Sequence, residues 1–354
     1  VAITLDAQGT SWSIPPGGSV SAQHVVLGAP ALGLVGTAVT LSPSSTSGLP
    51  VVIALDPSSG VGVCTVSGST VSFKKVGTCV IDGDQAGDAS HLPGHAQTTI
   101  PVKKGQTISF GSVADKKVNQ PPFTVRATAS SRLAVTFTST TPLVCGSGGA
   151  SGEVITLLSS GVCTVVADQA GDATFAAAPS VSRSFQVNKL NQTVTIPTVG
   201  NKKMTASPVT VSASASSGLP VTLSSSTPSV CSIAGTSVTL WSPGTCTLRG
   251  DQPGDGTYNP APTATRSFTV SKANQSITFV SPGKQKLAAS PVVVSPTASS
   301  GLPVAVTSTN TAVCTVAGDV VTLLTKGTCT LKADQAGNAA YNAAPTVTRS
   351  FAVT

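Results

Sequence analysis

Eight cysteines are the residues of this 354-residue chain whose type and spacing offer chemistry. Cysteine thiols bind zinc, act as nucleophiles or join as disulfides. Here they fall into four regular pairs, three with members 15 residues apart and one with members 18 apart. The pairs are Cys64 and Cys79, Cys145 and Cys163, Cys231 and Cys246, and Cys314 and Cys329.

The regular pairing favours disulfides over the other two chemistries. A zinc site needs four ligands close together, usually as Cys-x-x-Cys or with paired histidines. No two of these cysteines have that spacing, and His24, His91 and His95 all lie within the first 95 residues. A catalytic thiol would not recur in four copies. We therefore predict one local disulfide in each pair, an oxidising compartment, and neither a metal nor a cofactor.

The cysteines belong to an internal repeat with a period of 83 or 84 residues. Each copy contains Val-Cys, then Gly-Thr-Cys or Gly-Val-Cys, then Asp-Gln-Ala-Gly or Asp-Gln-Pro-Gly. Three copies contain Ser-Gly-Leu-Pro-Val, and three close with Arg-Ser-Phe-x-Val. The period is that of one small sandwich domain. It predicts an extension at 1–20 and four domains, at 21–104, 105–188, 189–272 and 273–354.

Each copy reads as a series of short β-strands. Val, Ala, Leu and Ile dominate the apolar residues, Gly and Pro mark turns, and runs at helical spacing are missing. Period-two alternation in the third copy predicts seven strands, at 192–196, 208–214, 220–225, 230–233, 237–241, 245–249 and 265–270. Seven strands of this length indicate a Greek-key sandwich. The predicted fold is all-β: tandem seven-stranded immunoglobulin-like β-sandwiches in a linear rod with short joints, one disulfide per domain.

These motifs together resemble the immunoglobulin-like tandem repeats of large bacterial cell-surface and secreted proteins. The resemblance covers residues 21–354 and rests on Ser-Gly-Leu-Pro-Val, Val-Cys-x-Val, Gly-Thr-Cys-Thr, Asp-Gln-Ala-Gly-Asn-x-x-Tyr-Asn-Ala-Ala-Pro and Arg-Ser-Phe-x-Val. It implies a sandwich used as a stalk, a spacer or an adhesive module. The family offers no catalytic residues to carry over, so we expect a protein that is not an enzyme.

The Asp-Gln motif is the strongest candidate for a binding site. Its first residue is Asp84, Asp168, Asp251 or Asp334. A calcium site needs six to eight oxygens with several converging carboxylates, and the later copies lose other acidic residues of this segment. We favour a role in which these aspartates cap a turn by accepting backbone N–H bonds, with calcium as the alternative. Lysines recurring between the first two strands, at 116–117, 202–203, 284 and 286, are interpreted as a solvated loop beside a sheet edge, with anionic surface glycopolymers as the alternative ligand.

Residues 1–20 precede the first repeat. They alternate apolar and polar residues and then stop at Pro15-Pro16-Gly17-Gly18. This pattern predicts either a strand added to the first domain or a strand donated to a neighbouring subunit, which would link copies head to tail into a filament. The residues assigned to that strand are Val1, Ile3, Leu5, Trp12 and Ile14.

Composition excludes several classes of partner. Charged residues make up 9% of the chain, and the net charge of +7 is not concentrated in a basic stripe, so we expect no nucleic-acid binding. No apolar run is long enough to span a membrane. The leading hypothesis is a structural protein outside the cell or on its surface, a stalk or fibre segment. The alternatives are an adhesin that binds surface glycans or proteins through its loops, and an accessory region of a secreted hydrolase.

Overall fold

The computed structural model describes residues 20–354 and contains four β-sandwiches, one in each repeat. Each sandwich has its own hydrophobic core, and every buried residue of a core comes from a single repeat. The chain divides into two compact units, one that ends at Asn188 and one that begins at Lys189. The predicted all-β fold class, with tandem β-sandwiches and one disulfide in each, is confirmed. The residues Val1, Ile3, Leu5, Trp12 and Ile14 lie outside the described part of the chain.

The unit that ends at Asn188 contains repeats 1 and 2. The strands of repeat 1 are β1 (Val25–Val26), β2 (Gly33–Leu34), β3 (Ala38–Thr40), β4 (Ser44–Ser45), β5 (Val52–Leu55), β6 (Cys64–Ser67), β7 (Thr70–Phe73), β8 (Gly77–Gln85) and β9 (Gly94–Lys103). The strands of repeat 2 are β10 (Ile108–Phe110), β11 (Lys116–Lys117), β12 (Phe123–Thr124), β13 (Ala127–Ala129), β14 (Thr136–Ser139), β15 (Cys145–Gly148), β16 (Val154–Leu157), β17 (Gly161–Asp168) and β18 (Val181–Asn188).

The unit that begins at Lys189 contains repeats 3 and 4, with one short 3-10 turn in each, at Met204–Ala206 and Leu287–Ala289. The strands of repeat 3 are β19 (Val194–Thr195), β20 (Lys202–Lys203), β21 (Val209–Thr210), β22 (Ser214–Ala215), β23 (Thr222–Ser225), β24 (Cys231–Ala234), β25 (Ser237–Leu240), β26 (Gly244–Asp251) and β27 (Ala264–Ser271). The strands of repeat 4 are β28 (Ile277–Thr278), β29 (Val292–Val293), β30 (Thr297–Ala298), β31 (Ala305–Ser308), β32 (Cys314–Ala317), β33 (Val320–Leu323), β34 (Gly327–Asp334) and β35 (Val347–Val353).

Two sheets face each other in every repeat, and repeat 2 shows the arrangement. One sheet has the strand order β11-β18-β17-β14. The other is formed by β12-β16-β15, and β13 continues the line of β12 and pairs with β10. In each repeat the last two strands, here named the penultimate and the closing strand, form the longest hairpin. Alternate residues of that hairpin, such as Cys163, Val165 and Phe185, enter the core.

In repeats 2 and 3 the lysine segments form strands, which corrects their interpretation as a loop. Lys116 and Lys117 pair in parallel with the end of the closing strand β18. Lys202 and Lys203 pair in the same way with β27. A two-residue strand is too short for an alternating pattern to reveal it, because its only partner lies about 70 residues away in the sequence. As expected, the segment lies at an edge of its sheet.

A disulfide joins the two sheets in the core of each repeat. The Cα atoms of the two cysteines are 5.6–5.8 Å apart, and both cysteines are almost completely buried. One cysteine begins the edge strand of one sheet, and the other lies in the penultimate strand of the opposite sheet. The bonded pairs are Cys64–Cys79, Cys145–Cys163, Cys231–Cys246 and Cys314–Cys329.

Candidate functional site

The aspartates that open the Asp-Gln motif lie near the end of the penultimate strand. Asp251 is paired in the ladder with Thr222, so its side chain projects from the sheet face and does not enter the following turn. Its carboxylate accepts a hydrogen bond from the Thr263 hydroxyl at 2.6 Å and pairs with Arg249 at 2.7 Å. The corresponding contacts are Asp84 with His95, Asp168 with Ser180, and Asp334 with Thr346 and Lys332. These contacts lead to the start of the closing strand or to a neighbour on the same strand, and the turn-capping role of Asp84, Asp168, Asp251 and Asp334 stays a prediction.

The backbone N–H groups of the turn donate to the residue four positions further along the chain. In repeat 2, Asp172 accepts backbone N–H bonds from Thr174 and Phe175, both at 2.7 Å. In repeat 4, the amide oxygen of Asn338 accepts the same two bonds, from Ala340 at 2.8 Å and Tyr341 at 2.9 Å. An uncharged side chain fills the position equally well, so it is a hydrogen-bond acceptor that this turn requires. Asp88 and Asp255 do the same in repeats 1 and 3.

A pair of glutamines is buried beside this turn. In repeat 3, Gln192 and Gln252 are only 3% and 5% exposed. The Gln192 amide donates to the Gln252 amide oxygen at 2.5 Å and to the Asn259 carbonyl at 2.8 Å. The Gln252 oxygen also accepts the backbone N–H of Gly254. The Ser217 hydroxyl donates to the remaining oxygen of Gln192.

This arrangement, here named the glutamine network, occurs in all four repeats. The paired glutamines of the other repeats are Gln23 with Gln85, Gln106 with Gln169, and Gln275 with Gln335. The serines that complete the network there are Ser47, Ser131 and Ser300. Each glutamine and serine of the network makes at least one such bond, and a buried amide without a partner would cost about 1–3 kcal/mol.

The glutamine network explains why the sequence motifs recur. Ser217 opens Ser-Gly-Leu-Pro, Gln192 precedes the first strand, and Gln252 belongs to the Asp-Gln motif. The fold brings these three segments together at one end of the sandwich. Sequence reasoning selected the aspartate and passed over its neighbour, because a glutamine carries no charge and suggests no chemistry by itself. The recurrence of Gln next to Asp in every copy was the available signal.

Glycine is required in the same turn. Gly254 has a φ of +77°, a conformation that residues with a side chain rarely adopt. A Cβ atom at this position would lie 2.3 Å from the carbonyl oxygen of Tyr258. Gly171 and Gly337 meet the same two restrictions.

The chemistry available at this end of each sandwich is hydrogen bonding. The side chains of the glutamine network are amides and hydroxyls, which do not titrate near neutral pH. Residues 20–354 contain no group of three or more His, Cys, Asp or Glu side chains placed to hold a metal ion. The same stretch contains no helix of the length and apolar character that crossing a bilayer requires. The glutamine network therefore holds backbone segments in position. The described residues contain no carboxylate cluster that would support the calcium alternative.

The capping aspartates should make three of the turns sensitive to acid. Backbone N–H bonds from Phe175 and Thr174 lower the pKa of Asp172 below its ordinary value of 3.8. A lowered folded-state pKa gives stability that is complete above the unfolded value and is lost as the pH falls through the folded value. We expect the amide resonances of Thr174 and Phe175 to shift and broaden as the pH falls from about 4 to about 2.

Repeat 4 provides the control for this titration. Its turn is held by Asn338, which does not ionise, so the amide of Tyr341 should show no such transition. The variant Asp172→Asn should remove the transition from repeat 2. Identical acid responses in repeats 2 and 4 would contradict this assignment.

Comparisons with known proteins identify no family: no family model matches the chain, and no curated protein does. Solved structures with a partial likeness exist. Drosophila N-cadherin EC1-4 is 14% identical, with 86% of this chain and 92% of that chain covered and a TM-score of 0.24. Mouse cadherin-23 EC22-24 is 14% identical, covers 71% and 99%, and has a TM-score of 0.35. Domains 1-6 of surface layer protein SbsC are 17% identical, cover 94% and 54%, and have a TM-score of 0.25. We transfer no function from structures with scores this low.

Proposed function

We propose that the chain is a structural segment of an extracellular stalk or fibre of the cell surface, and not an enzyme. The observation that carries the proposal is the construction of the joints between repeats of one unit. Disulfides in every repeat support the location, because such bonds persist in oxidising compartments.

The joint between repeats 1 and 2 leaves no free residue. Strand β9 ends at Lys103, and the next residue, Lys104, already pairs with Phe175 of repeat 2. The Lys104 amide donates to the Thr174 carbonyl at 2.8 Å, and the Lys103 ammonium donates to the Asp172 carbonyl at 2.7 Å. The capped turn of one repeat therefore holds the end of the repeat before it.

The joint between repeats 3 and 4 is built in the same way. Strand β27 ends at Ser271, and Ala273 pairs with Tyr341 of repeat 4. Its amide donates to the Ala340 carbonyl at 2.8 Å. Only Lys272 lies between the two sandwiches. A joint of this length has little freedom to bend, unlike a Gly- and Ser-rich linker.

The parallel pairs suit a segment that carries tension. Chain enters repeat 2 before β11 and leaves it after β18, and these two strands run in parallel. A pull on both ends would draw them in opposite directions, so their hydrogen bonds would be loaded together in shear. The Val118 amide adds one more bond, to the Asn188 carbonyl at 3.1 Å.

Single-molecule force spectroscopy of the whole chain tests the proposal. We expect four separate unfolding events, with no low-force extension attributable to free linkers. Reduction should lengthen each event by about 50–60 Å, because it releases a loop of 15 residues in repeats 1, 3 and 4 and a loop of 18 residues in repeat 2. Val118→Pro should lower the unfolding force of repeat 2 alone, with the other three repeats as internal controls. Extension at low force before the first event would contradict a load-bearing role.

A further inference from the structure

An apolar groove of about 740 Å³ lies open between the two sheets of repeat 1. Strand β5 and the preceding Val51 form one wall, and Thr65, Val66 and the turn after them form the other. Leu55 lies on the same face of β5 as the buried Ile53 and is 42% exposed, whereas Val52 lies on the opposite, outer face. Burying Leu55 would be favourable, so the groove suits an apolar occupant.

Within residues 20–354, the backbone of β5 pairs with a neighbouring strand on one side only. It is the outer strand in the order β2-β9-β8-β5. The Asp56 amide donates inward to the Val80 carbonyl at 3.0 Å. Because an antiparallel ladder alternates, the N–H and C=O groups of Ile53 and Leu55 point to the open side. An edge of this kind accepts an added strand.

The equivalent edge of repeat 2 differs, because one of its outward backbone amides has a side-chain partner. Ser139 occupies the position of Leu55, and its outward amide is taken by the Ser147 hydroxyl at 3.2 Å. Repeat 1 has Val66 in the place of Ser147, and a valine side chain offers no acceptor to that amide. Thr136 likewise occupies the position of Val52. Repeat 1, which follows the N-terminal extension, therefore has an apolar edge where repeat 2 has a polar one.

The extension has the length and pattern to fill the groove. Apolar residues alternate over Val1–Leu5, and Asp6 is the one charged residue among residues 1–14. The described chain begins beside the turn between β8 and the closing strand β9. There Ser21 exchanges backbone hydrogen bonds with Ser90 and Leu92. Strand β5 starts at the same end of the sandwich. The fifteen residues from 6 to 20 can span about 50 Å, enough to cross the few strands between Ser21 and β5.

We propose that residues 1–5 of the chain itself pair with β5 as an added edge strand, with Val1, Ile3 and Leu5 in the groove. The linker that follows Leu5 must lead back to Ser21, which lies at the end of the sandwich where β5 begins. The added strand is therefore antiparallel to β5. A tethered segment has an effective concentration in the millimolar range, which favours the chain's own extension over that of a second copy. This inference goes beyond the proposed function and stands independently of it.

Hydrogen exchange of the full chain, read by mass spectrometry, tests this pairing. Deletion of residues 1–14 should raise the exchange rate of peptides spanning β5 by about tenfold or more. Leu55→Pro should release residues 1–5 and leave the sandwich folded, because the N–H it removes points away from β8. The double variant Ile3→Asp/Leu5→Asp should have the same effect without touching the described fold.

Two variants serve as matched controls. Thr4→Asp lies on the opposite face of the added strand and should keep the protection of β5. Ser308→Pro, at the position of Leu55 in repeat 4, should leave residues 1–5 protected. Rapid exchange of residues 1–5 in the full chain overturns the proposal. So does protection that increases with protein concentration together with dimers or polymers in light scattering, because a second copy would then be the occupant.

Discussion

Replacement of Cys231 and Cys246 by alanine is expected to lower the free energy of unfolding of repeat 3 by about 3 kcal/mol. The bond closes a loop of 15 residues, so its loss returns conformational freedom to the unfolded chain. It also joins the two sheets through a core whose buried set contains a single aromatic residue, Phe268. Little other bulk is available to hold these sheets together.

Hydrogen exchange measured repeat by repeat suits this variant, because a chain with several domains does not unfold in two states. Peptides from β26 should exchange faster, while those from β34 in repeat 4 serve as the internal reference. Equal acceleration in both repeats would show that the repeats do not unfold independently. Unchanged exchange of β26 would show that the disulfide contributes no stability.

Replacement of Gln252 by leucine is expected to destabilise repeat 3 by about 2–4 kcal/mol. Leucine has a similar size but cannot accept the hydrogen bonds from Gln192 and Gly254, which would stay buried without a partner. The effect should be largest at the end of the sandwich where Tyr258 pairs with Leu190. Exchange of the amides around Gly254 and Asn259 measures it.

A matched control is Gln186→Leu, which changes an exposed glutamine of β18 and should alter stability by less than about 0.5 kcal/mol. The double variant Gln192→Leu/Gln252→Leu completes a thermodynamic cycle. Since the two amides contact each other, their effects should not add, with a coupling of about 0.5–3 kcal/mol. Simple additivity would contradict a shared network.

The sequence alone predicted the fold class because its evidence was local and repeated. Period-two alternation marked the strands of repeat 3, and those at 220–225 and 237–241 reappear as β23 and β25 with ends displaced by one or two residues. The cysteine pairs are also local, at 15 or 18 residues. Contacts over short separations leave a pattern that a single sequence displays.

The glutamine network and the lysine strands could not be predicted in this way. Gln192 meets Gln252 across 60 residues, and Lys116 meets Val187 across about 70. Each half of such a contact looks like an ordinary polar surface residue until the fold brings it to its partner. The aspartate of the Asp-Gln motif drew attention because it is charged, whereas the buried residue beside it connects three segments. In these repeats the uncharged neighbour was the more informative residue.

The confinement of every disulfide to one repeat bears on how the chain matures. Eight cysteines can be joined in roughly a hundred ways, and most of these would tie distant repeats together. Here each cysteine meets its partner within 18 residues at most. A chain exported N-terminus first would present both members of a pair almost at once, well before the next pair emerges. Correct oxidation would then follow from the order of emergence, with little need for an isomerase to reshuffle bonds between repeats.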